Sequence, residues 1–305
     1  MAGENKPMSI PSVIAVVVTY NRLSRLQQCL KALRTQTVPC GVVVVDNSSN
    51  DGTAEWLAEQ KDCTLCLLHE NTGCSGGFNT GIGRALDAGA EWVWLMDDDV
   101  VPDKDALEAM LKTRGFFPQA GLFCSNVFLE NGKSDNPPIL PGTQSGMAWK
   151  DHLDQGVVRV WSCTFTSVLI LRAAILKVGL PIPEMFIWSD DIEYTSRITS
   201  EFEGYLVGES RAVHLRTAGS GIEYEEDKRR LANYFYEYRN RIYVARKRGG
   251  EFAWRSTSRT LLTIMRMLGQ PRFFNKMRVI LKGSMAGLFF NPVVEFWRKE
   301  SQSPQ

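Results

Sequence analysis

The sequence predicts an α/β fold: a mostly parallel, Rossmann-like central sheet with helices on both faces, followed by a helical extension. Continuous apolar and largely β-branched runs at Ile14–Val18, Gly41–Val45 and Trp92–Met96 have the composition of buried parallel strands. Between the first two runs, leucines from Leu23 to Leu33 recur at helical spacing. Strands that alternate with helices in this way are typical of a doubly wound sheet.

The elements between the second and third of these strands are shorter. The turn at Asp51–Gly52 precedes a predicted helix at Thr53–Glu59. Cys66–His69 predicts a short strand. The glycine-rich stretch Gly73–Gly83 predicts a loop that leads into a helix around Arg84–Ala88.

After residue 120 the pattern is less regular. The predicted strands are Gly121–Phe128, Ser162–Leu171, Tyr205–Val207 and Ala212–His214. The predicted helices are Ala173–Val178 and one from Trp188 to about Phe202. Asn131–Gly146 is rich in proline and glycine and predicts a loop. From Glu225 onward helical periodicity dominates, with breaks near Gly249, Gly269 and Pro292.

Composition excludes several classes of protein. A hydrophobic fraction of 44% and a charged fraction of 23% are ordinary for a soluble globular chain. No stretch reads as a signal peptide or as a membrane span, so we expect a cytoplasmic protein. The seven cysteines do not form a disulfide framework, and Cys63 and Cys66 lack the further ligands of a zinc site.

Charge divides the chain into two parts. Lys228–Lys299 holds 17 Lys and Arg but only three acids, whereas the rest of the chain is acidic. We therefore predict an α/β domain at residues 1–220 and a basic, mainly helical module at residues 221–305. Basic helices with apolar stripes can lie on an anionic membrane, in which case the protein is peripheral on the cytoplasmic face. Alternatively, the stripes pack on the first domain or on a second subunit of a homo-oligomer. No recognised nucleic-acid-binding module is present.

Three adjacent carboxylates, Asp97–Asp99, follow the third apolar run directly. Carboxylates at the carboxyl end of a strand in an α/β sheet point into the crevice where ligands bind. Such oxygen ligands suit Mg²⁺ or Mn²⁺, which usually bring a phosphate with them. The alternative is an exposed acidic turn before a helix.

Other strand ends are also polar or glycine-rich: Thr19–Arg22, Asp46–Ser49 and Asn71–Asn79. In a parallel sheet these ends converge on one edge. Asp46 suits a nucleoside, because a carboxylate accepts hydrogen bonds from a base or from ribose. The glycines from Gly73 to Gly83 would let the backbone approach a ligand, although they match neither a P-loop nor a dinucleotide motif.

A second acidic pair, Asp190–Asp191, follows Trp188. One carboxylate of such a pair can have a raised pKa and act as a general base, or the pair can simply favour a helix N-terminus. A lone His214 after a short strand is usually structural, but together with Asp97 and Asp99 it would complete a Mn²⁺ or Mg²⁺ shell.

In this order, the motifs resemble those of family 2 glycosyltransferases with the GT-A fold. The matching stretches are Val17–Arg22, Val45–Thr53, Asn71–Asn79, Asp97–Asp99 and Trp188–Tyr194. The resemblance runs from about residue 12 to His214. Within the family, Asn71–Asn79 and the later Tyr234–Asn240 are most similar to galactofuranosyl- and rhamnosyltransferases.

The resemblance implies a role for each matching residue. The donor nucleotide-sugar would contact Thr19, Tyr20, Arg22, Asp46, Asn47, Gly73, Gly77, Asn79, Asp97 and Asp98. Asp97, Asp99 and His214 would bind Mn²⁺ or Mg²⁺. Asp191 would be the catalytic base, while Asp190 and the ring of Trp188 would contact the acceptor. Ser189 separates the ring from the acidic pair, whereas in the resembled galactofuranosyltransferases the two are adjacent.

The implied function is inverting, metal-dependent transfer of galactofuranose from a UDP donor to a glycan or lipid-linked glycan. The alternative donor is dTDP-rhamnose. A nucleotide-binding protein without catalysis is the non-enzyme alternative, and the intact Asp97, Asp99, Asp191 and His214 argue against it. A nucleotidyltransferase would carry a glycine-rich basic loop at Thr19–Arg22, and this chain does not.

Overall fold

The computed structural model describes residues 12–141, 150–216 and 221–298, which form a nine-stranded sheet flanked by helices. The strands are β1 Val13–Thr19, β2 Gly41–Asp46, β3 Thr64–Leu67, β4 Trp92–Asp97, β5 Val100–Pro102, β6 Ala120–Leu129, β7 Val157–Arg159, β8 Val168–Leu171 and β9 Glu203–His214. The α-helices are α1 Leu23–Arg34, α2 Thr53–Ala58, α3 Gly73–Asp87, α4 Ala106–Arg114, α5 Arg172–Val178, α6 Asp190–Thr199, α7 Lys228–Arg248, α8 Gly250–Met267 and α9 Phe273–Phe289.

The first half of the sheet is parallel and the second half is mixed. The order is β3-β2-β1-β4-β8-β6-β9-β5, with β7 also paired to β9. β1 runs parallel to β2 and β4, so that Thr19 lies beside Asp46 and Val18 beside Asp97. The predicted convergence of polar strand ends is therefore confirmed. The parallel pairing is continuous through β1–β4 and recurs between β6 and β9, whereas β8 runs antiparallel to both β4 and β6.

Helices cover both faces of the sheet, as predicted. On one face, Leu26 and Leu30 of α1 pack with Met110 of α4 against the strands. On the other, Phe78 of α3 and Ile198 of α6 belong to a second core cluster. The continuous apolar character of β1 and β4 follows from this arrangement, because a strand covered on both sides has no solvent-facing positions.

The glycine-rich stretch is a helix, which corrects the prediction of a loop. α3 begins at Gly73 itself, and two of its glycines, Gly77 and Gly81, face the sheet. A Cβ at Gly77 would lie 2.5 Å from Val18 Cγ1, and one at Gly81 would lie 2.3 Å from Val16 Cγ1. These glycines let the helix approach β1 closely. A ligand-facing role for Gly77 finds no support in this packing.

Two other strand predictions need correction. Only Val168–Leu171 of the predicted Ser162–Leu171 strand is regular. The two short strands after residue 204 are one continuous strand, β9, whose pairing with β6 shifts register beside Ser125. The polar residues between Val207 and Ala212 interrupt the apolar pattern but not the backbone ladder, and a bulge can absorb such an irregularity. Part of the predicted Asn131–Gly146 loop lies outside the described residues.

The C-terminal region is helical, with breaks where they were predicted. Gly249 and Gly269 adopt left-handed φ values of 82° and 78° between successive helices. After α9 the chain returns to the α/β body, where the Leu180 N–H donates to the Glu295 carbonyl and Trp297 Nε1–H donates to Asp87. None of the helices in the described part of the chain has the length and apolarity needed to cross a membrane. The proposed domain division at residue 220 borders residues that are not described and stays a prediction.

Candidate functional site

Asp97, Asp99 and His214 form one cluster at the carboxyl end of β4. One ligand atom from each residue lies within 4.8 Å of the other two. β5 follows the acidic turn immediately and pairs with the end of β9, which sets Val100 beside His214. This pairing explains how a histidine more than a hundred residues away reaches the acidic turn.

The donor set of this cluster fits Mn²⁺ or Mg²⁺. Two carboxylates and an imidazole are hard-to-borderline ligands that leave positions open for phosphate oxygens. Burial, together with the nearby charge of Asp99, raises the pKa of Asp97 to about 7. A buried carboxyl group in this state gains from a bound cation, because the cation offsets the charge that burial penalises.

Asp135 orients His214, a contact that the sequence analysis missed. His214 Nδ1 lies 2.8 Å from Asp135 Oδ2, and Nε2 lies 3.0 Å from Asp99 Oδ1. Arg216 in turn holds Asp135 through two nitrogen–oxygen contacts of 3.1 and 2.8 Å. Donation from Nδ1–H to Asp135 leaves Nε2 as the metal-ligating atom. Asp135 lies in a proline-rich loop, and no local pattern marks it.

Thr19, Arg22 and Asp98 form a network beside the cluster. Thr19 Oγ1–H donates to Asp98 Oδ2 over 2.7 Å, and Arg22 contacts both Asp98 and Asp99. Asp98 and Asp99 are buried, so the alternative of an exposed acidic turn is wrong. These contacts balance the charge of the triplet, and direct donor binding by Thr19, Arg22 and Asp98 stays a prediction.

The remaining predicted donor residues occupy different surroundings. Asp46 is buried at the end of β2 and accepts the Ser49 N–H, whereas the Tyr20 ring is exposed. The Asn47 amide binds Thr72 and the Gly73 carbonyl, which ties β2 to the start of α3. These residues belong to the same edge of the sheet, and their donor contacts remain predictions.

Asn79 and Gly73 are fixed by other parts of the fold. The Asn79 amide donates to the Pro181 carbonyl at 2.9 Å and to Glu295 at 3.0 Å. A Cβ at Gly73 would lie 2.2 Å from the Phe186 carbonyl oxygen, and Gly73 has a left-handed φ of 75°. Both residues therefore anchor the segment before α6, and their donor contacts stay predictions.

The acidic pair begins α6 after a strained turn. Phe186, Trp188 and Ser189 all have left-handed φ values between 62° and 64°. Non-glycine residues adopt this region only where surrounding contacts enforce it, most often at functional sites. The turn presents the two acids at the helix start.

Asp190 and Asp191 differ in their surroundings. Asp190 is buried, and its Oδ2 has no hydrogen-bond partner among the residues that the structure describes. Burial and the charge of Asp191 raise the pKa of Asp190 well above its usual range. Asp191 is partly exposed and accepts the Ile192 N–H at 2.7 Å, and burial raises its pKa to about 6. Asp191 thus combines partial exposure with a pKa suited to a general base.

Asn240 of α7 holds the strained turn. Its amide Nδ2 lies 2.8 Å from the Met185 carbonyl, 3.1 Å from that of Ile187 and 2.8 Å from that of Trp188. Asn240 is completely buried. It lies within the Tyr234–Asn240 stretch that carried the resemblance, but nothing in the sequence indicated its partner. The Trp188 ring also packs against Tyr234 of α7, with ring centroids 4.7 Å apart.

Cys74 connects the acidic cluster to the acidic pair. Its Sγ lies 3.6 Å from Asp97 Oδ1. Burial first, and then the charges of Asp97, Asp190 and Asp191, raise the pKa of this thiol well above its usual value. The next residue, Ser75, donates its N–H to the Phe186 carbonyl at 3.1 Å. The start of α3 therefore contacts both the candidate metal site and the turn before the candidate base, and we call the region between them the cleft.

The comparison with protein families agrees with this geometry. Residues 14–175 match the model of glycosyl transferase family 2. The chain belongs to this family. It is a glycosyltransferase, as the motifs predicted.

Two relatives come from the groups that the resemblance indicated. Galactofuranosyltransferase GlfT1 of Mycobacterium tuberculosis is 29% identical over 265 residues, which cover 78% of this chain and 83% of GlfT1. The dTDP-rhamnosyl transferase RfbF of Shigella flexneri is 27% identical over 247 residues, which cover 77% of this chain and 80% of RfbF. The predicted similarity to both groups is confirmed.

Solved structures confirm the GT-A fold. TarS of S. aureus, residues 1–349, aligns with a TM-score of 0.55 and 14% identity over 92% of this chain and 72% of that chain. The mannosyltransferase PcManGT from Pyrobaculum calidifontis, solved with GDP-Man and Mn²⁺, aligns with a TM-score of 0.53 and 16% identity over 93% and 91%. At these identities the likeness shows the fold alone.

Proposed function

We propose that this glycosyltransferase moves galactofuranose from UDP-galactofuranose to a hydroxyl of a glycan or lipid-linked glycan, with inversion at the anomeric carbon. The observation that carries the proposal is that the start of α3 contacts both a three-ligand cation site and the turn before a partly exposed carboxyl group, Asp191. A single in-line displacement needs both: a charge-stabilised leaving group and a base on the opposite side of the sugar.

Asp191 removes the proton from the acceptor hydroxyl while the hydroxyl oxygen forms a bond to the anomeric carbon. The bond between the anomeric carbon and the diphosphate oxygen breaks in the same step. Its carboxylate is partly exposed, and a pKa of about 6 leaves it mostly ionised at neutral pH yet basic enough to take a proton. The neighbouring Asp190 is buried and keeps its proton, because burial and the charge of Asp191 raise its pKa well above the usual range. A protonated Asp190 orients Asp191 or donates a hydrogen bond to the acceptor.

Asp97, Asp99 and His214 would hold the divalent cation, with Asp135 fixing the His214 ring. When bound, the cation neutralises the charge that develops on the departing nucleoside diphosphate. Asp46 at the end of β2 would bind the nucleoside, consistent with its burial at the same edge of the sheet. We expect Mn²⁺ or Mg²⁺ to serve.

The choice of donor rests on similarity rather than on geometry. GlfT1 and RfbF are nearly equally similar to this chain. dTDP-rhamnose is therefore the second candidate donor. A donor screen, read by product mass spectrometry with a panel of simple glycoside acceptors, separates the two. A product containing rhamnose alone would overturn the proposed sugar, and binding of nucleotide without any product would favour the non-enzyme alternative.

A lipid-linked acceptor would bring the protein to a membrane surface. The basic C-terminal region made this contact an expectation of the sequence, and we propose that the protein works at the cytoplasmic face of the membrane. Product formed on a lipid-linked acceptor and not on soluble glycosides would support this acceptor class. Equal rates with both would argue against it.

A further inference from the structure

Helix α8 exposes several large apolar side chains while it buries two polar ones. Four apolar residues at helical spacing, each more than half exposed, form one side of the helix: Trp254, Leu261, Met265 and Leu268. On the buried side, Ser256 and Thr263 accompany Met267. A surface helix of a soluble protein normally has the opposite pattern.

Helix α9 repeats this inversion. Its exposed side carries Phe274, Leu281, Met285 and Phe289, with Phe274 85% and Phe289 80% exposed. Its buried side presents Lys276, Gly283 and Gly287 together with one large apolar residue, Ile280. The two glycines lie directly on α7, where a Cβ would come within 2.6 Å of the carbonyl oxygens of Phe235 and Arg239. Lys276 Nζ is satisfied by the Glu223 carbonyl at 2.7 Å.

The inversion follows from close packing between α7 and α9. Glycines permit backbone contact between helices but contribute almost no apolar surface, so the apolar residues of α9 are left outside. The two exposed sides meet where Leu268 and Phe274 line one shared depression. Exposed apolar surface of this kind marks a protein or membrane contact, since each large side chain loses favourable burial in water.

The charge around these apolar residues indicates what binds to them. Residues 252–294 contain seven Lys and Arg and no Asp or Glu. Five of these cations are exposed on or beside the two helices: Arg259, Arg266, Arg272, Arg278 and Lys282. Two copies of such a surface would bring like charges together. An anionic bilayer matches both the apolar side chains and the surrounding positive charge.

We propose that the exposed sides of α8 and α9, here named the α8–α9 face, dock in the plane of an anionic lipid bilayer. This docking surface rests on the proposed function, in which a lipid-linked acceptor is the reason for membrane contact. α7 packs on α9 and also holds the turn before the acidic pair through Asn240. The bilayer surface is thereby connected to the acceptor side of the cleft through a single helix, and packed helix axes lie about 8–10 Å apart.

The test is co-sedimentation of the full chain with vesicles of phosphatidylcholine and phosphatidylglycerol at 7:3, and of phosphatidylcholine alone. We expect binding to the anionic vesicles at low salt and little binding to the neutral ones. Phe274→Ser should weaken binding by about tenfold, as expected for a large apolar side chain that leaves the bilayer. Arg278→Gln should weaken it by about fivefold, mainly at low salt.

Phe116→Ser is the matched control. Phe116 is 78% exposed but lies in the turn after α4, on the α/β domain. Its replacement should leave vesicle binding unchanged. If wild-type protein does not bind anionic vesicles, or if Phe116→Ser weakens binding as much as Phe274→Ser, the α8–α9 face is not the docking surface. Light scattering that shows a dimer of the wild type and a monomer of Leu261→Ser would assign the face to a second copy instead.

The vesicle assay uses no donor, and the donor screen with soluble glycosides uses no vesicles. Vesicle binding without any sugar transfer would contradict the proposed function and leave the docking surface standing. Transfer to soluble glycosides without vesicle binding would support the proposed sugar transfer and contradict the docking surface.

Discussion

The two groups of carboxylates in the cleft, Asp97–Asp99 and Asp190–Asp191, are held in place by different parts of the molecule. Asp98 and Asp99 receive hydrogen bonds or ion pairs from Thr19, Arg22 and His214, all within the α/β body. The turn before Asp190 is held by α3 on one side and by Asn240 of α7 on the other. The donor side of the cleft is thus built into the sheet, whereas the geometry of the base also depends on a C-terminal helix. Variants on the acceptor side should therefore change the transfer rate, whereas variants on the donor side should change the affinity for the metal ion.

The largest expected effect is on the acceptor side. Asp191→Asn keeps the shape of the side chain but cannot accept the proton, so the transfer rate should fall by about 10²–10⁴-fold. Donor binding, measured by calorimetry with Mn²⁺ and UDP, should be unchanged. Turnover near the wild-type rate would exclude Asp191 as the base.

On the donor side, His214→Ala should raise the Mn²⁺ concentration needed for half-maximal activity and weaken direct Mn²⁺ binding. Asp135→Asn should have a smaller effect of about 10–100-fold on Mn²⁺ affinity, because it only orients His214. Both can be measured by calorimetry without substrate. A chelator-treated protein that transfers sugar at the full rate would show that the cluster is not a catalytic metal site.

Asn240→Asp tests whether α7 positions the base. The substitution replaces a donor by an acceptor in front of three carbonyls, and unmet hydrogen bonds of this kind cost about 1–3 kcal/mol each. We expect kcat to fall while Mn²⁺ affinity stays at the wild-type value. Asn275→Ala, at an exposed position of α9, is the control and should change neither. A parallel loss of Mn²⁺ affinity in Asn240→Asp would mean that α7 supports the whole cleft rather than its acceptor side.

The smallest effect is the pH dependence of the wild-type enzyme. Because burial raises the pKa of Asp191 to about 6, kcat should increase as the pH rises through this value. Stability changes in the opposite direction, because the folded state binds this proton more tightly than the unfolded chain does. The contribution of Asp191 to the free energy of unfolding therefore decreases as the pH rises from about 4 to about 6. A kcat that is constant from about pH 5 to 7 would assign the proton transfer to another group.

Much of the donor side was predictable from sequence, and much of the acceptor side was not. Strand ends at Thr19, Asp46 and Asp97 could be placed together because parallel neighbours in a sheet share an edge. The partners of His214 and Trp188 lie 79 and 52 residues away along the chain, at Asp135 and Asn240. No periodic pattern relates such residues.

The sequence by itself determined the buried strands, the helices that separate them and the acids at the strand ends. The reason is that the pattern of apolar residues along each element shows which of its sides can be buried. Only the tertiary structure decided that the Gly73–Gly83 stretch is a helix, since its glycines serve contact with Val16 and Val18. It also decided which side of α8 and α9 faces water. That choice depends on close contact with α7, and a single helix does not carry this information.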